Sequence, residues 1–323
     1  MSSSVFVVVV TYNPEIEALR VVLNSIIMQA KSVFLVDNAS SNVDQIELLA
    51  QDLNSEKNLV EVVVQSRNLG LGAAHNIGIS EAKDRGFDYV LLLDQDSIVL
   101  DNMLPALLLA YQKKSENELV SATGVTYLNA DNGSESFFVR FGWLKFKRQY
   151  CASRDSDGCV EADFLISSGS LMAIEVINEI GGMDEGLFID HVDTEWFLRA
   201  RHKGYKCYGV CDAVMQHGLG ETTHQISFGI NFLLRKLFGL KNARRRNVPQ
   251  HNSFRYYYIF RNSVLLYRRS YASNKWKWND LQRLFMIAFM FTILKPPRRE
   301  NLWMMLRGIK DGIRGIDGRF QQN

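Results

Sequence analysis

No stretch of this chain approaches the ~18 uninterrupted apolar residues of a spanning helix. No low-complexity tract and no repeat at a fixed period is present, so repeat architectures are excluded. The N-terminal Met1-Ser-Ser-Ser lacks a basic n-region, and the apolar run Val5–Val10 is too short for a secretory leader. The expected compartment is the cytoplasm. Cysteine is scarce, and Cys151, Cys159, Cys207 and Cys211 form two loose pairs without the tight C-x2-C knuckles of a zinc site. Free thiols, buried or half-buried in a reducing compartment, are the expectation. Acidic residues are scarce in one region only. Residues 233–323 hold 20 Lys or Arg against 4 Asp or Glu, net +16, while the rest holds 17 against 31, net −14. An acidic body with a basic tail implies an anionic partner, either nucleic acid or a membrane.

What is present suits one large domain with an appendage: 323 residues, 47% of them hydrophobic. Val5–Thr11 reads as a buried strand, followed by helical spacing over Glu15–Gln29. Strands at Val33–Val36, Val60–Gln65 and Tyr89–Leu93 alternate with helices at Ile46–Leu53 and up to about Arg85. This alternation predicts an α/β domain with a mainly parallel sheet, whose ligands bind beyond the carboxyl ends of the strands. The polar clusters at 11–13, 37–41, 67–76 and 94–97 fall there. Residues 120–220 look mixed, with strands near Val120–Tyr127, Phe137–Phe146 and Tyr205–Val210 and helices from Ile174 and over Asp193–Lys203. Beyond 230 the pattern is helical and basic. Leu284–Leu294 suits either an interfacial or a core helix, and its basic flanks with Trp276, Trp278 and Trp303 favour a membrane surface over nucleic acid.

Asp94-Gln95-Asp96 follows a buried strand, where charged groups must face a site. Two carboxylates at i and i+2 there can hold Mg²⁺ or Mn²⁺ against a diphosphate. Asp37 and Asn38 could read a base edge. Asn68, Gly70, Gly72 and Asn76 lie where backbone must approach a ligand. Gly70-Leu-Gly-Ala-Ala-His75 is not G-x-G-x-x-G, and it follows the third strand with the acidic residue before it, so a dinucleotide fold is excluded. Asp190, Asp193 and Glu195 place three carboxylates within six residues at a helix start. There an isolated Asp is as often a cap as a base, and the cluster favours a general base. Trp196, Phe197 and Ala200 are spaced to pack inward. His217 could reach a metal from a loop or be structural. Leu91–Ile98 also resembles the first motif of haloacid-dehalogenase phosphatases, which would need it near the chain start. A non-catalytic carbohydrate-binding protein is the remaining alternative.

Val9-Val-Thr-Tyr-Asn13, Val36-Asp-Asn-Ala-Ser40, Asn68-x-Gly-x-Gly-x-x-x-Asn76-x-Gly78 and Leu93-Asp-Gln-Asp96 resemble, in order, the motifs of family 2 inverting glycosyltransferases. Ser168-Gly169, Gly181-Gly-Met-Asp-Glu185, Asp193-Thr-Glu195 and His217-Gly218 continue the series. Phe188–Arg199, Arg255–Asn262 and Gly308–Gly312 resemble the bacterial rhamnosyltransferase branch. The resemblance implies an A-type glycosyltransferase fold. Its catalytic domain would span 1–230 (nucleotide-sugar half to about 100, acceptor half beyond), with a helical, basic, membrane-associating region at 231–323. It implies a nucleotide-sugar site of Thr11, Tyr12, Asn13, Asp37, Asn38, Asn68, Gly70, Asn76, Asp94 and Gln95. Asp94, Asp96 and His217 would handle metal and diphosphate, and Ser168, Gly169 and Trp196 the acceptor. Asp193 matches the base, flanked by Asp190 and Glu195, though Val192 stands where many relatives carry Glu. The implied reaction moves L-rhamnose from dTDP-L-rhamnose to a lipid-linked saccharide of O-antigen or capsule. It would take place on the inner face of the cell membrane.

Overall fold

The computed structural model describes residues 3–54, 59–128, 133–217, 223–225, 247–249, 253–294 and 296–321. β1 (Val5–Thr11) is buried from Phe6 onward, as a run of β-branched residues covered on both sheet faces must be. It pairs in parallel with β2 (Val33–Asp37) on one side and β4 (Tyr89–Asp94) on the other, and β3 (Val60–Val64) extends the sheet beyond β2. The crossovers are α1 (Ile16–Ile27), α2 (Val43–Leu53) and α3 (Leu71–Asp84). α1 buries Leu19, Val22, Leu23 and Ile26, the spacing expected of a helix lying on a sheet. β1 is the strand where the winding reverses, so the crevice for a ligand opens beyond the carboxyl ends of β1, β2 and β4.

The sheet continues with β5 (Ser97–Val99), β6 (Val120–Leu128), β9 (Cys159–Ala162), β10 (Ser170–Ala173) and β11 (Lys206–His217), with the helix α4 (Met103–Ser115) between β5 and β6 in the chain. Among the described residues nine strands form one sheet, in the order β3-β2-β1-β4-β10-β6-β11-β5 with β9 also on β11. β10 runs antiparallel between β4 and β6, which draws the second half of the chain alongside the first. β11 is longer than Tyr205–Val210 because it passes through irregularities at Lys206/Cys207 and Val210/Val214 and continues to His217. The expected strand at Phe137–Phe146 is instead a hairpin, β7 (Phe138–Arg140) and β8 (Lys147–Gln149), with a turn between them. α5 (Ile174–Ile180) and α6 (Val192–His202) stand where helical spacing put them.

The cysteine expectation is half corrected. Cys151 and Cys211, 60 residues apart, are disulfide-bonded with Cα atoms 5.6 Å apart, because the turn after β8 lies against the irregular stretch of β11. Cys159 and Cys207 are free and buried.

β12 (Thr223–Gln225) and β13 (Asn247–Pro249) pair with each other, and α7 (Ser253–Tyr267), α8 (Asn274–Phe289) and α9 (Arg298–Arg314) follow. The chain does not divide by a single cut near 230. One unit comprises Met1–Gly218, Leu266–Asn279 and Asp317–Asn323, and the other Leu219–Leu265 and Asp280–Ile316. In the second unit Gly308 lies against the Tyr257 carbonyl and Gly312 against the Arg261 carbonyl, so α9 approaches α7 at backbone distance. Tyr257 donates to the Asp311 carboxylate at 3.1 Å, and the Asn301 amide donates to the Phe291 carbonyl at 2.9 Å. Leu284–Leu294 is of mixed character: Leu284 and Phe291 are buried, whereas Phe285, Met286 and Ile293 are exposed. Among the described residues no helix is long and apolar enough to cross a membrane.

Candidate active site

The ends of β1 and β2 are joined by a buried carboxylate. Asp37 accepts from the Thr11 hydroxyl at 2.9 Å, from the Ser40 amide at 2.9 Å and from the Ser40 hydroxyl at 2.5 Å. Asp37 and Thr11 are fully buried, which such a carboxylate tolerates only with its oxygens satisfied. The Ser40 hydroxyl accepts in turn from the Asn13 amide at 2.8 Å, and the Asn13 side chain accepts from Ser41. Tyr12 is left on the rim, half exposed. Its backbone amide donates to Gln95 Oε1 at 2.7 Å, so the β4 end is tied to the β1 end. Thr11, Tyr12, Asn13, Asp37, Asn38, Asp94 and Gln95 thus converge on one crevice mouth.

Asp94, Gln95 and Asp96 are all half-buried where β4 ends. The Asp94 amide donates to the Ser168 hydroxyl at 2.9 Å, which lies 2.8 Å from the Ser97 hydroxyl. Tyr127 donates its phenol hydrogen to the Ser168 carbonyl. The turn that presents Ser168 needs glycine at 169: its φ is +74°, and a Cβ there would collide with Val125. Burial first, and then the charges of Asp94, Asp193 and Asp96, hold the Tyr127 phenol well above its ordinary pKa. The charges of three carboxylates from two distant segments are therefore all felt by one phenol. Beside it is a cavity of about 260 Å³ lined by Tyr127, Phe137, Phe138, Phe164, Leu165 and Ser168, among others.

The acidic segment separates into distinct roles. Asp193 is half-buried in the first turn of α6, whose capping position is His191, so Asp193 is not the cap. Burial raises its pKa, the like charge of Asp190 adds to this, and the backbone amides of Thr194 and Ser167 act the other way. Glu195 is enclosed in an ion pair with Arg199 at 2.6 Å and accepts from the Tyr271 hydroxyl at 2.5 Å. Arg199 also donates to the carbonyls of Ile180 and Gly182, so Glu195 holds the loop after α5 and is not available as a base.

Other predicted residues turn toward that same loop. Asn76 donates to the Met183 carbonyl at 3.0 Å and to Glu185 at 2.8 Å, and accepts from the Met183 amide. A Cβ on Gly70 would lie 2.6 Å from Phe188, and one on Gly72 3.0 Å from the Asp184 carbonyl. The close approach those glycines permit is to residues 183–188. Asn68 accepts from the Gly70 amide, and Asn38 bridges to Leu69 and Gly70. Trp196 is corrected as an acceptor contact. It is fully buried and its indole N–H donates to the Gly181 carbonyl at 2.8 Å, so neither ring face meets solvent. The inward packing read from helical spacing describes it better. The backbone of His217 pairs with Ser97, next to Asp96, while its side chain lies outside the described residues. Sequence reasoning missed Tyr127, Ser97, Ser167 and Arg199. Arg199 alone had a signal, its i, i+4 spacing from Glu195.

Among the described residues no three His, Cys, Asp or Glu gather as a metal centre. Two half-buried carboxylates on one turn nonetheless fit a hard cation that completes its shell with substrate phosphate oxygens and water.

The profile of Glycosyl transferase family 2 matches residues 6–180. The chain is similar to dTDP-rhamnosyl transferase RfbF of Shigella flexneri, 27% identical over 325 residues and covering 100% of both chains. Among solved structures it is similar to S. aureus TarS 1-349 in complex with UDP-GlcNAc. The TM-score is 0.60 and the identity 15%, over 97% of this chain and 81% of that one. It is also similar to the mannosyltransferase PcManGT from Pyrobaculum calidifontis in complex with GDP-Man and Mn²⁺. There the TM-score is 0.53 and the identity 14%, over 96% of this chain and 74% of that one.

Proposed function

This chain belongs to glycosyl transferase family 2 and has the A-type glycosyltransferase fold, and on that premise we propose that it transfers L-rhamnose from dTDP-L-rhamnose to a lipid-linked saccharide, with inversion. Full-length similarity to RfbF supports the donor. The observation that carries the reaction is that the Ser167–Ser168 turn ties together Asp94, Tyr127 and Asp193: the Asp94 amide and the Tyr127 phenol donate to Ser168, and the Ser167 amide donates to Asp193.

In this reading the nucleoside lies across the β1 and β2 ends. There the bonds to Asp37 and the Gln95–Tyr12 clamp fix the backbone it would meet. Asp94 and Asp96 would hold a divalent cation, Mg²⁺ or Mn²⁺. When bound, it supplies positive charge against the departing diphosphate. Asp193 takes the proton of the acceptor hydroxyl, and its raised pKa makes it a stronger base than an exposed aspartate. That hydroxyl attacks the anomeric carbon on the face opposite the nucleotide. The cavity walled by Phe137, Phe138 and Phe164 beside Tyr127 seats the acceptor, its apolar lining suited to the C–H face of a sugar ring or its carrier. The Ser167–Gly169 turn joins the parts: Ser167 touches Asp193, and Ser168 touches Asp94 and Tyr127. The enzyme works on the cytoplasmic face of the membrane, with the basic region beyond about 231 facing anionic lipid.

The phosphatase reading of Leu91–Ile98 falls with the family assignment. Incubation with a panel of nucleotide sugars, following nucleotide diphosphate release with and without lipid-linked saccharides, tests the proposal. Preference for dTDP-L-rhamnose supports it. Turnover of UDP- or GDP-sugars alone overturns the donor.

A further inference from the structure

α9 has its amphipathic order reversed. The face packed within its own unit carries Asn301, Met304, Met305, Gly308, Asp311 and Gly312. The face in water carries Leu302, Trp303, Leu306 and Ile313, each between 46% and 65% exposed. With half-buried Ile309, the positions 302, 306, 309 and 313 step by four, three and four residues, so they form one stripe along the helix. Exposed Arg298, Arg299, Lys310 and Arg314 border it, and Glu300 is the one exposed acid on the helix. This orientation is held in place. Gly308 and Gly312 let α9 lie against the α7 backbone, and Asp311 is fixed by Tyr257 and by Arg307 at 3.0 Å. Any rotation bringing the leucines inward would bury branched side chains where only glycine fits.

We infer that the outward face of α9 lies in the headgroup region of an anionic bilayer, with Leu302, Trp303, Leu306 and Ile313 entering the acyl boundary and the four basic residues engaging lipid phosphates. An apolar stripe on a helix with basic borders and an indole is the composition of an in-plane interfacial helix. Charge decides against a second copy of the chain as the occupant. Self-pairing would set the basic borders against their own copies, whereas an anionic surface neutralises them. The inference rests on the proposed membrane setting and names the surface that makes the contact. It also moves that contact away from Leu284–Leu294, two of whose apolar residues are buried.

The test uses the full-length protein with vesicles of phosphatidylcholine alone and of phosphatidylcholine mixed with phosphatidylglycerol, read by sedimentation and by quenching of tryptophan emission by brominated lipid. Wild type should bind the mixed vesicles more tightly, and Trp303→Phe should lose a distinct share of the quenching. Arg299→Glu with Lys310→Glu should weaken binding at least about 25-fold, from roughly fivefold for each basic residue lost at such a surface. Leu306→Ser with Ile313→Ser should remove the component that persists in high salt. These positions are exposed, and unchanged melting temperatures establish that the variants fold. Wild-type binding that all three variants retain, with full quenching, overturns the inference while leaving the membrane setting intact. No vesicle binding by wild type overturns both. A wild-type dimer that Leu306→Ser with Ile313→Ser makes monomeric, without vesicle binding, assigns the face to a second copy and also overturns the inference. Because no sugar is present, none of these outcomes bears on the transfer reaction.

Discussion

Exchanging the two neighbouring acids of α6 for their amides should have opposite consequences. Asp193→Asn keeps an oxygen for the Thr194 amide at 2.6 Å but removes the charge that burial and Asp190 disfavour. Because the folded-state pKa of Asp193 is raised, its ionised form costs stability above that pKa, so the melting temperature of the variant should hold or rise near neutral pH. Transfer should fall by ~10²-fold or more, the scale for loss of a general base and about 2.7 kcal/mol of barrier, with nucleotide-sugar binding retained. The acid limb of the wild-type rate profile should lie above the ordinary carboxylate value of 3.8, since the base must be ionised, and it should vanish in the variant. Glu195→Gln, by contrast, leaves Arg199 without its counter-charge. Roughly 3 kcal/mol of stability should be lost, the low end for breaking a buried pair, because Arg199 keeps 20% of its side-chain surface in water. Its activity, corrected for folded fraction, should stay within about tenfold of wild type, a smaller loss than removal of a base gives. Paired melting curves and initial rates decide the matter. A stable, inactive Glu195→Gln beside an active Asp193→Asn would refute the assignment of roles.

Three further outcomes are expected. Stripping with EDTA should abolish transfer, Mg²⁺ or Mn²⁺ should restore it, and Asp96→Ala should lose that restoration and bind donor more weakly only when metal is present; full turnover by stripped wild type would contradict the metal proposal. Oxidised protein should melt higher than the Cys151→Ser variant by the equivalent of up to about 4 kcal/mol for a 60-residue loop, and equal melting curves with and without reductant would remove the crosslink's contribution. His75 is fully buried, neither ring nitrogen has a partner among the described residues, and burial lowers its pKa to about 4 from 6.5. The unfolded chain then binds a proton that the folded chain does not, so stability should fall by up to about 3 kcal/mol as pH drops through that window, and the slope should be shallower in His75→Leu by chemical denaturation.

The parallel half of the fold was readable because β1, β2 and β4 are covered on both faces and therefore show continuous apolar runs, each ended by the polar cluster it delivers to the crevice. Local patterning also ordered α5 and α6. What it could not reach were partners brought in from far along the chain. Tyr271 satisfies Glu195 from 76 residues away, and Ser168 meets Asp94 from 74 residues away. Cys211 meets Cys151 only because β11 passes the turn after β8. Gly70 and Gly72 read as places where the backbone approaches a ligand, and the structure puts protein backbone and side chain there instead. Asp184 and Phe188 approach Gly72 and Gly70, while Gly78 lies against Val8 of β1, a packing role compatible with shaping a donor site from behind.

α9 shows a different limit, because its pattern was readable but its orientation was not. Apolar residues at 302, 306, 309 and 313 define a face, and the usual inference is that such a face is buried. Gly308 and Gly312 define an equally regular face on the other side, and small residues at i and i+4 permit backbone contact that branched side chains prevent. Two faces therefore competed for the interior. The glycine face occupies it because Asp311 and Asn301, on the same side, find buried partners in Tyr257 and Phe291. Had the leucines turned inward, those partners would have been left without them, and an unsatisfied buried polar group costs about 1–3 kcal/mol. A stripe of that size left in water calls for a surface that removes it from water, and the arginines along its edges set the sign of that surface.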